Sequence, residues 1–268
     1  MSRLSVTQTN KLFIGGSFVR SESGRTFMVG PDHFPRASRK DVRDAVRAAR
    51  QGYARWSALT AYNRGQVLYR LAEMLEARHA QLESICSGSA EVDRSIDRIL
   101  WYAGWPDKLT QVLGATNSVA GPYLSYTAAE PMGVVGVIAP AEPRLEALMS
   151  RLAAVLAAGN AAVVLVAEPS APAAIAVAEA LATSDLPAGA ANLLTGPTEE
   201  TARVLAAHLD IDALDLDAAA DPDQLAELER LAAGGVTRVV RQVDPTEQSL
   251  GCLAAFVEHK TVWHPRSI

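Results

Sequence analysis

Apolar positions along the chain change their period several times, and each change marks an element. Val42, Ala45, Val46 and Ala49 recur at helical spacing behind a capping box, Ser38 with Asp41 three residues on, and predict a helix continuing to Trp56. After Thr60 a second stripe, Val67, Leu68, Leu71, Leu75 and Leu82, lies opposite Arg64, Arg70, Glu73 and Glu76 and predicts another. A third helix is expected from about Val92 to Leu113, with Ile96, Ile99, Leu100, Ala103 and Leu109 inward and Trp101, Tyr102 and Trp105 clustered. Aromatics among Ile and Leu at this spacing read as core or as a subunit contact before they read as a ligand platform.

From Gly133 the pattern alternates short Val/Leu runs with Ala-rich helices. The strand GVVGVIAP (133–140) leads into a Leu/Ala helix ended by Gly159 and Asn160, then the strand AAVVLV (161–166), a helix from about Ser170 to Ser184, and the strand ANLLTG (191–196). A helix from about Glu199 to His208, IDALDL (211–216), a helix from Pro222 to Ala233 before Gly234, and VTRVVRQV (236–243) follow. Parallel strands need crossovers, so this alternation predicts about five parallel strands covered by helices on both faces. Before it, KLFIGGSFV (11–19) reads as a tight hairpin or a bulged turn, and the stretch from 118 to 131 as a strand leaving the body. A last short strand is expected at Lys260–Trp263.

The chain has 268 residues, 49% of them hydrophobic, enough for a core. Its 25 basic and 30 acidic side chains leave a net charge of -5, which excludes a general cationic field for nucleic acid. The apolar runs are broken by Arg151, Gly159, Asn160 or Glu168, short of a membrane span, and MSRLSVTQTN has no apolar leader, so a cytoplasmic protein is expected. Cys86 and Cys252 form no CxxC, and the five histidines show no i, i+4 pair, so no disulfide framework and no metal site is expected. Cys252, in SLGCLAAF, and Cys86 have no His or Lys beside them to lower a thiol pKa and read as small buried side chains. The acid pairs Glu199/Glu200 and Asp215/Asp217 read as solvated helix starts and strand ends.

The order of IGGSFV, ARWSALTAYNRGQVLYRLAEMLE (54–76), EPMGVVGVIAP (130–140), LAAVLAAGNAAVVLV (152–166) and DLPAGAANLLTG (185–196) resembles the aldehyde dehydrogenase superfamily. The resemblance implies an α/β fold: a Rossmann-type parallel sheet flanked by helices, an N-terminal helical segment, an oligomerisation arm and a C-terminal interface strand. It divides the chain into 1–117, hairpin and helices packing on the nucleotide-binding fold; 118–131, the arm; 132–245, a degenerate Rossmann-like domain; and 246–268, a tail with the interface strand. WYAGWPDK (101–108), PAEPRL (140–145) and EHKTVWHP (258–265) look closest to the non-catalytic second module of two-module members. The expectation is a natural, shortened pseudoenzyme without the catalytic domain.

Family members oxidise aldehydes with NAD or NADP through a cysteine thiolate, an asparagine that holds the oxyanion and a glutamate base. Here Glu142 stands at the asparagine position, where a carboxylate repels an oxyanion. Val166 and Pro169 replace the lysine and glutamate that hold the ribose, and Thr198 and Ala202 replace two glycines beside the cofactor. Asp215 and Asp217 are expected near a pyrophosphate and unfavourable to it. The resemblance thus implies no catalytic residue, no bound NAD and no metal. It implies contacts through Tyr123, Tyr126, Lys260, Val262 and Trp263 with a catalytic aldehyde dehydrogenase paralogue, or with further copies of this chain. An NAD-dependent enzyme of unusual chemistry and a ligand-binding module using the degenerate cleft stay open as alternatives.

Overall fold

A computed structural model describes residues 8–142, 144–217, 221–242, 244 and 246–266. The chain opens with the hairpin β1 (Leu12–Ile14) and β2 (Ser17–Val19), turned through Gly15 and Gly16 at positive φ, and a second hairpin, β3 (Thr26–Val29) with β4 (Asp32–Pro35). Helix α1 (Arg39–Ser57) starts at the expected capping box, in which Ser38 Oγ accepts the Asp41 N–H. Its Gly52 lies against the Gly189 turn, where a Cβ would run into backbone, so close approach sets the residue although glycine weakens a helix interior by roughly 1 kcal/mol. Trp56 is fully buried and donates its indole N–H to the Leu156 carbonyl at 3.0 Å.

Two expected long helices are broken. The second stripe divides at Arg78 into α2 (Ala61–Glu76) and α3 (His79–Ile85). The third divides into α4 (Ser89–Ala103) and α5 (Leu109–Leu113), because Gly104 and Pro106 cannot carry the helical ladder between them. Strand β5 (Ala115–Asn117) and the long β6 (Tyr123–Pro131) follow.

The alternating half folds as β7 (Val134–Ile138), α6 (Arg144–Ala157), β8 (Ala161–Val166), α7 (Ala171–Leu181), β9 (Ala191–Thr195), α8 (Thr198–Ala206), β10 (Ala213–Asp217), α9 (Pro222–Ala233) and β11 (Arg238–Gln242). These strands are the five expected parallel ones. The hairpin adds two antiparallel strands, giving a mixed sheet in the order β11-β10-β7-β8-β9-β1-β2. Alternate residues of each strand enter opposite cores. Val135, Val137, Val164 and Leu193 pack with α2, α4, α6 and α7, while Val134, Val163, Leu165 and Leu214 pack with α1, α8 and α9. Helix α6 is buried at every position from Leu145 to Ala157, which its Leu/Ala content permits.

The chain closes with α10 (Leu250–Ala254) and β12 (Val257–Pro265). The terminal strand is longer than Lys260–Trp263, and its partner is the chain's own arm: nine residue pairs join β12 to β6 in a sheet ordered β12-β6-β5. Asn160 fastens this sheet to the core, its Nδ2 donating to the Phe256 carbonyl at 2.8 Å while Oδ1 accepts the Gly133 N–H at 2.9 Å.

Candidate functional site

Open α/β sheets bind ligands outside the carboxyl ends of their strands, where the strand order reverses. Here β7 is followed outward by β8 and β9 on one side and flanked by β10 and β11 on the other, so the crevice lies between the ends of β7 and β10. It holds about 130 Å³ and is lined by Ile138, Leu216, Leu225 and Leu228 with three alanines, Thr198 and Gln224, with no charged side chain among the described residues. Cofactor-sized pockets run to roughly 300–1,000 Å³. Beside it, between the starts of α8 and α9, a depression of about 520 Å³ carries four carboxylates, Glu199, Asp221, Asp223 and Glu227, against one guanidinium, Arg203. Among the described residues the crevice is thus small and apolar, and the adjoining surface carries an excess of carboxylates that disfavours phosphate.

The turn between β7 and α6 carries carboxylates as well. Glu142 is exposed and paired with Arg144 at 2.9 Å. Beneath it, Glu91 on α4 is 2% exposed and caps α6 in trans: Oε1 accepts the Leu145 N–H at 2.7 Å and the Glu146 N–H at 3.4 Å, and Oε2 accepts the Ser87 N–H at 2.8 Å. Burial pushes the Glu91 pKa up, but these backbone donors outweigh it and the net shift is downward. The N-terminus of α6, where a helix dipole favours an anion, is thus already filled by one.

Further inward, Glu146 accepts from Arg94 at 2.8 Å and from Arg98 at 2.9 Å, and Arg98 also donates to the Thr246 carbonyl. Arg151 meets Asp215 at 3.4 Å, both almost fully buried. This corrects the expectation for Asp215, which is neither solvated nor at the crevice. The side chain of Asp217 lies outside the described residues. Sequence reasoning passed over the α4 residues, although a signal was present: Glu91, Ser95, Arg98 and Tyr102 follow one another at four, three and four residues and form a second buried stripe beside Val92, Ile96 and Ile99.

The expected cofactor positions do not converge. Thr198 lines both the crevice and the acidic depression. Val166 is in the core, Pro169 is exposed on a short 3-10 turn, and Ala202 is on the buried face of α8, so its Cβ fills core space. Cys252 is buried, with Sγ 3.4 Å from Ser249 Oγ and 3.6 Å from the Glu247 carbonyl oxygen. Burial, with Glu91 nearby, pushes the Cys86 thiol up to about 12, so it stays protonated at neutral pH. Tyr102 is fully buried in edge contact with Trp101, whose ring is 5.2 Å from that of Trp105. No cluster of metal-ligating side chains occurs among the described residues, and no helix among them is long and apolar enough to cross a membrane.

The expected interface residues do share one sheet. Tyr123, Tyr126 and Trp263 are exposed, Val262 is half-buried opposite Tyr126, and Lys260 pairs with Glu130 at 3.3 Å. Tyr123 and Trp263 meet edge to face at 6.0 Å. Thr127 Oγ1, Asn117 and Thr261 form a hydrogen-bonded ladder across the three strands.

Residues 31–220 match the aldehyde dehydrogenase family. The chain is 32% identical over 225 residues to cytosolic aldehyde dehydrogenase 1 of Elephantulus edwardii, across 76% of this chain and 44% of that protein. Among solved structures it superposes on an aldehyde dehydrogenase of Bacillus cereus with a TM-score of 0.81 at 25% identity, covering 88% of this chain and 51% of that one. It matches HpcC of Thermus thermophilus with a TM-score of 0.81 at 31% identity, covering 87% and 48%. The chain spans less than half the length of such curated relatives.

Proposed function

The chain belongs to the aldehyde dehydrogenase family, and we propose that it acts there as a non-catalytic subunit, associating with a catalytic aldehyde dehydrogenase. The observation that carries this reading is the turn between β7 and α6. Where the family's asparagine would hold a developing oxyanion, the carboxylates of Glu142 and Glu91 stand, one facing water and one bound to the first N–H groups of α6. A negative oxygen there would meet two carboxylates, Glu142 paired with Arg144 and Glu91 already on the backbone N–H groups, in place of an amide donor, so the arrangement does not favour the transition state of acyl chemistry. The apolar crevice and its acidic neighbour support a second part of the proposal, that no nicotinamide dinucleotide is held in the family manner. The β12-β6-β5 sheet supports the third part, association: β12 keeps one edge without a partner strand among the described residues, and Trp263, Tyr123 and Tyr126 present aromatic area to a neighbour.

Purification of the tagged protein from its own host, with the native mass measured and companion chains identified, tests the reading. A complex with a full-length aldehyde dehydrogenase that dissociates in Trp263→Ala supports it. Recovery as a monomer or as a homo-oligomer alone overturns it.

The 32% identity with a relative named as a dehydrogenase favours a second reading, an NAD-dependent aldehyde dehydrogenase of altered chemistry. Turnover of a simple aldehyde by the purified chain with NAD, abolished by Cys252→Ala, would establish it. Cys252 is then the only nucleophile of its kind beside Cys86.

A further inference from the structure

A basic surface lies away from the crevice, at the amino-terminal ends of the parallel strands. Helix α1 carries six basic side chains, Arg39, Lys40, Arg43, Arg47, Arg50 and Arg55, a local excess on a chain whose net charge is -5. Arg43, Arg47 and Arg50 follow at four and three residues and so share one face, in a row about 10 Å long. Across from them the connection from α8 to β10 brings His208 and Asp210. Together with Gln51 these side chains line a groove of about 450 Å³, within the size range of ligand pockets.

The groove has one fixed end and one open end. Arg50 is anchored, with one amino group 2.9 Å from the Asp212 carboxylate and the other donating to the Asp210 carbonyl at 2.6 Å. Arg43 leans on its neighbour Asp44 at 3.3 Å. Arg47 is exposed and makes no ion pair among the described residues. His208 Nδ1 accepts the Asp210 N–H at 3.2 Å, which leaves the ring hydrogen on Nε2 as a donor. Three guanidinium groups, an imidazole donor and the Gln51 amide therefore line the groove with one carboxylate, Asp210, while Asp212 and Asp44 hold Arg50 and Arg43 from outside the lining and Arg47 carries the charge left over.

We propose that this groove binds an anion bearing a di- or triphosphate group. The forks of Arg47 and Arg43 match phosphate oxygens in bidentate geometry, the anchored Arg50 adds its charge at the closed end, and a row about 10 Å long sets these groups against successive phosphates. A single phosphate would engage only part of the row. Asp210 accepts a hydroxyl from whatever the phosphates are attached to, so a nucleoside triphosphate binds more tightly than the bare chain of phosphates.

Calorimetric titration of the full chain at low salt with sodium tripolyphosphate, ATP and orthophosphate tests this. ATP and tripolyphosphate bind in the micromolar range, ATP the tighter, and the advantage disappears in Asp210→Asn. Arg47→Ala weakens both by about tenfold and Arg43→Ala/Arg47→Ala by on the order of a hundredfold, with Arg43→Lys/Arg47→Lys between wild type and the double alanine variant. Both sites are on the solvent face of α1, so thermal unfolding of these variants stays at the wild-type temperature and reports that the fold is intact. Raising the salt weakens binding. The proposal is overturned by absence of heat at millimolar tripolyphosphate, by orthophosphate binding as tightly as tripolyphosphate, or by affinity unchanged in the double variant. An oligoglutamate peptide that binds as tightly and is lost in the same variants would also overturn it, and would make the groove a protein-docking surface.

Discussion

The two ends of the parallel sheet dispose of charge in opposite ways. Towards the carboxyl end, between α4, α6 and β10, one set of ionisable groups is turned inward and matched, Glu91 on the α6 N–H groups, Glu146 between Arg94 and Arg98, Asp215 on Arg151, while Glu142 and the carboxylates of the acidic depression stay at the surface. At the amino end they are turned outward, with Arg43 and Arg47 on the exposed face of α1. Buried pairs hold geometry at a desolvation cost, whereas exposed arginines contribute little to folding and stay available to a ligand. The turn from β7 to α6 is thus held as a structural joint by buried charge. The exposed arginines of α1 are the ones on which the proposed anion groove rests.

Breaking the inward network should have the largest effect. Glu146→Ala leaves Arg98, 8% exposed, without its carboxylate, and a buried charge stripped of its partner costs about 3–5 kcal/mol. Urea unfolding measures this, and a loss below about 1 kcal/mol would mean that the network does not hold α4 against α6.

A smaller loss, about 1–3 kcal/mol, is expected for Glu91→Gln, which keeps the shape but weakens acceptance of the backbone N–H groups. Its pH dependence has a definite sign. The folded pKa of Glu91 lies below its ordinary value, so the unfolded chain binds the proton more readily. The stabilisation is complete above the unfolded carboxyl pKa, about 4.3, and is lost as pH falls through the lower folded value. The stability of wild type should therefore fall more steeply than that of Glu91→Gln below about pH 4.3. Parallel curves would show that the cap is not made by an ionised carboxylate.

This same joint marks where the sequence stops being readable. The five parallel strands, the capping box at Ser38 and the hairpin at Gly15 and Gly16 were all legible, because each rests on local period or local turn chemistry. The break at Arg78 is hidden because the apolar stripe runs on through it, whereas the one at Gly104 is signalled by Gly104 and Pro106 and overridden in the reading by the apolar residues on either side. Pairing of β12 with β6 joins residues more than a hundred positions apart, and no local pattern states a partner at that distance. Asp215 was read as a solvated strand end because its neutralising group, Arg151, sits on a different helix. The apolar positions of the candidate site, Val166 and Ala202, were placed by resemblance alone, and packing decided that both belong to the core.

The smallest effect expected at either end is that of Arg47→Ala on stability. Arg47 lies on the exposed face of α1, and alanine is at least as good a helix former, so the change should stay within about 0.5 kcal/mol. Set against the loss in Glu146→Ala, a near-zero value separates the two ends cleanly: one set of charges is needed to fold, the other is not. A loss above about 1 kcal/mol in urea unfolding would mean that Arg47 is tied into the fold through the α8–β10 connection. The amino end would then be a second structural joint, its guanidinium groups held for packing, and the contrast between the two ends of the sheet would collapse.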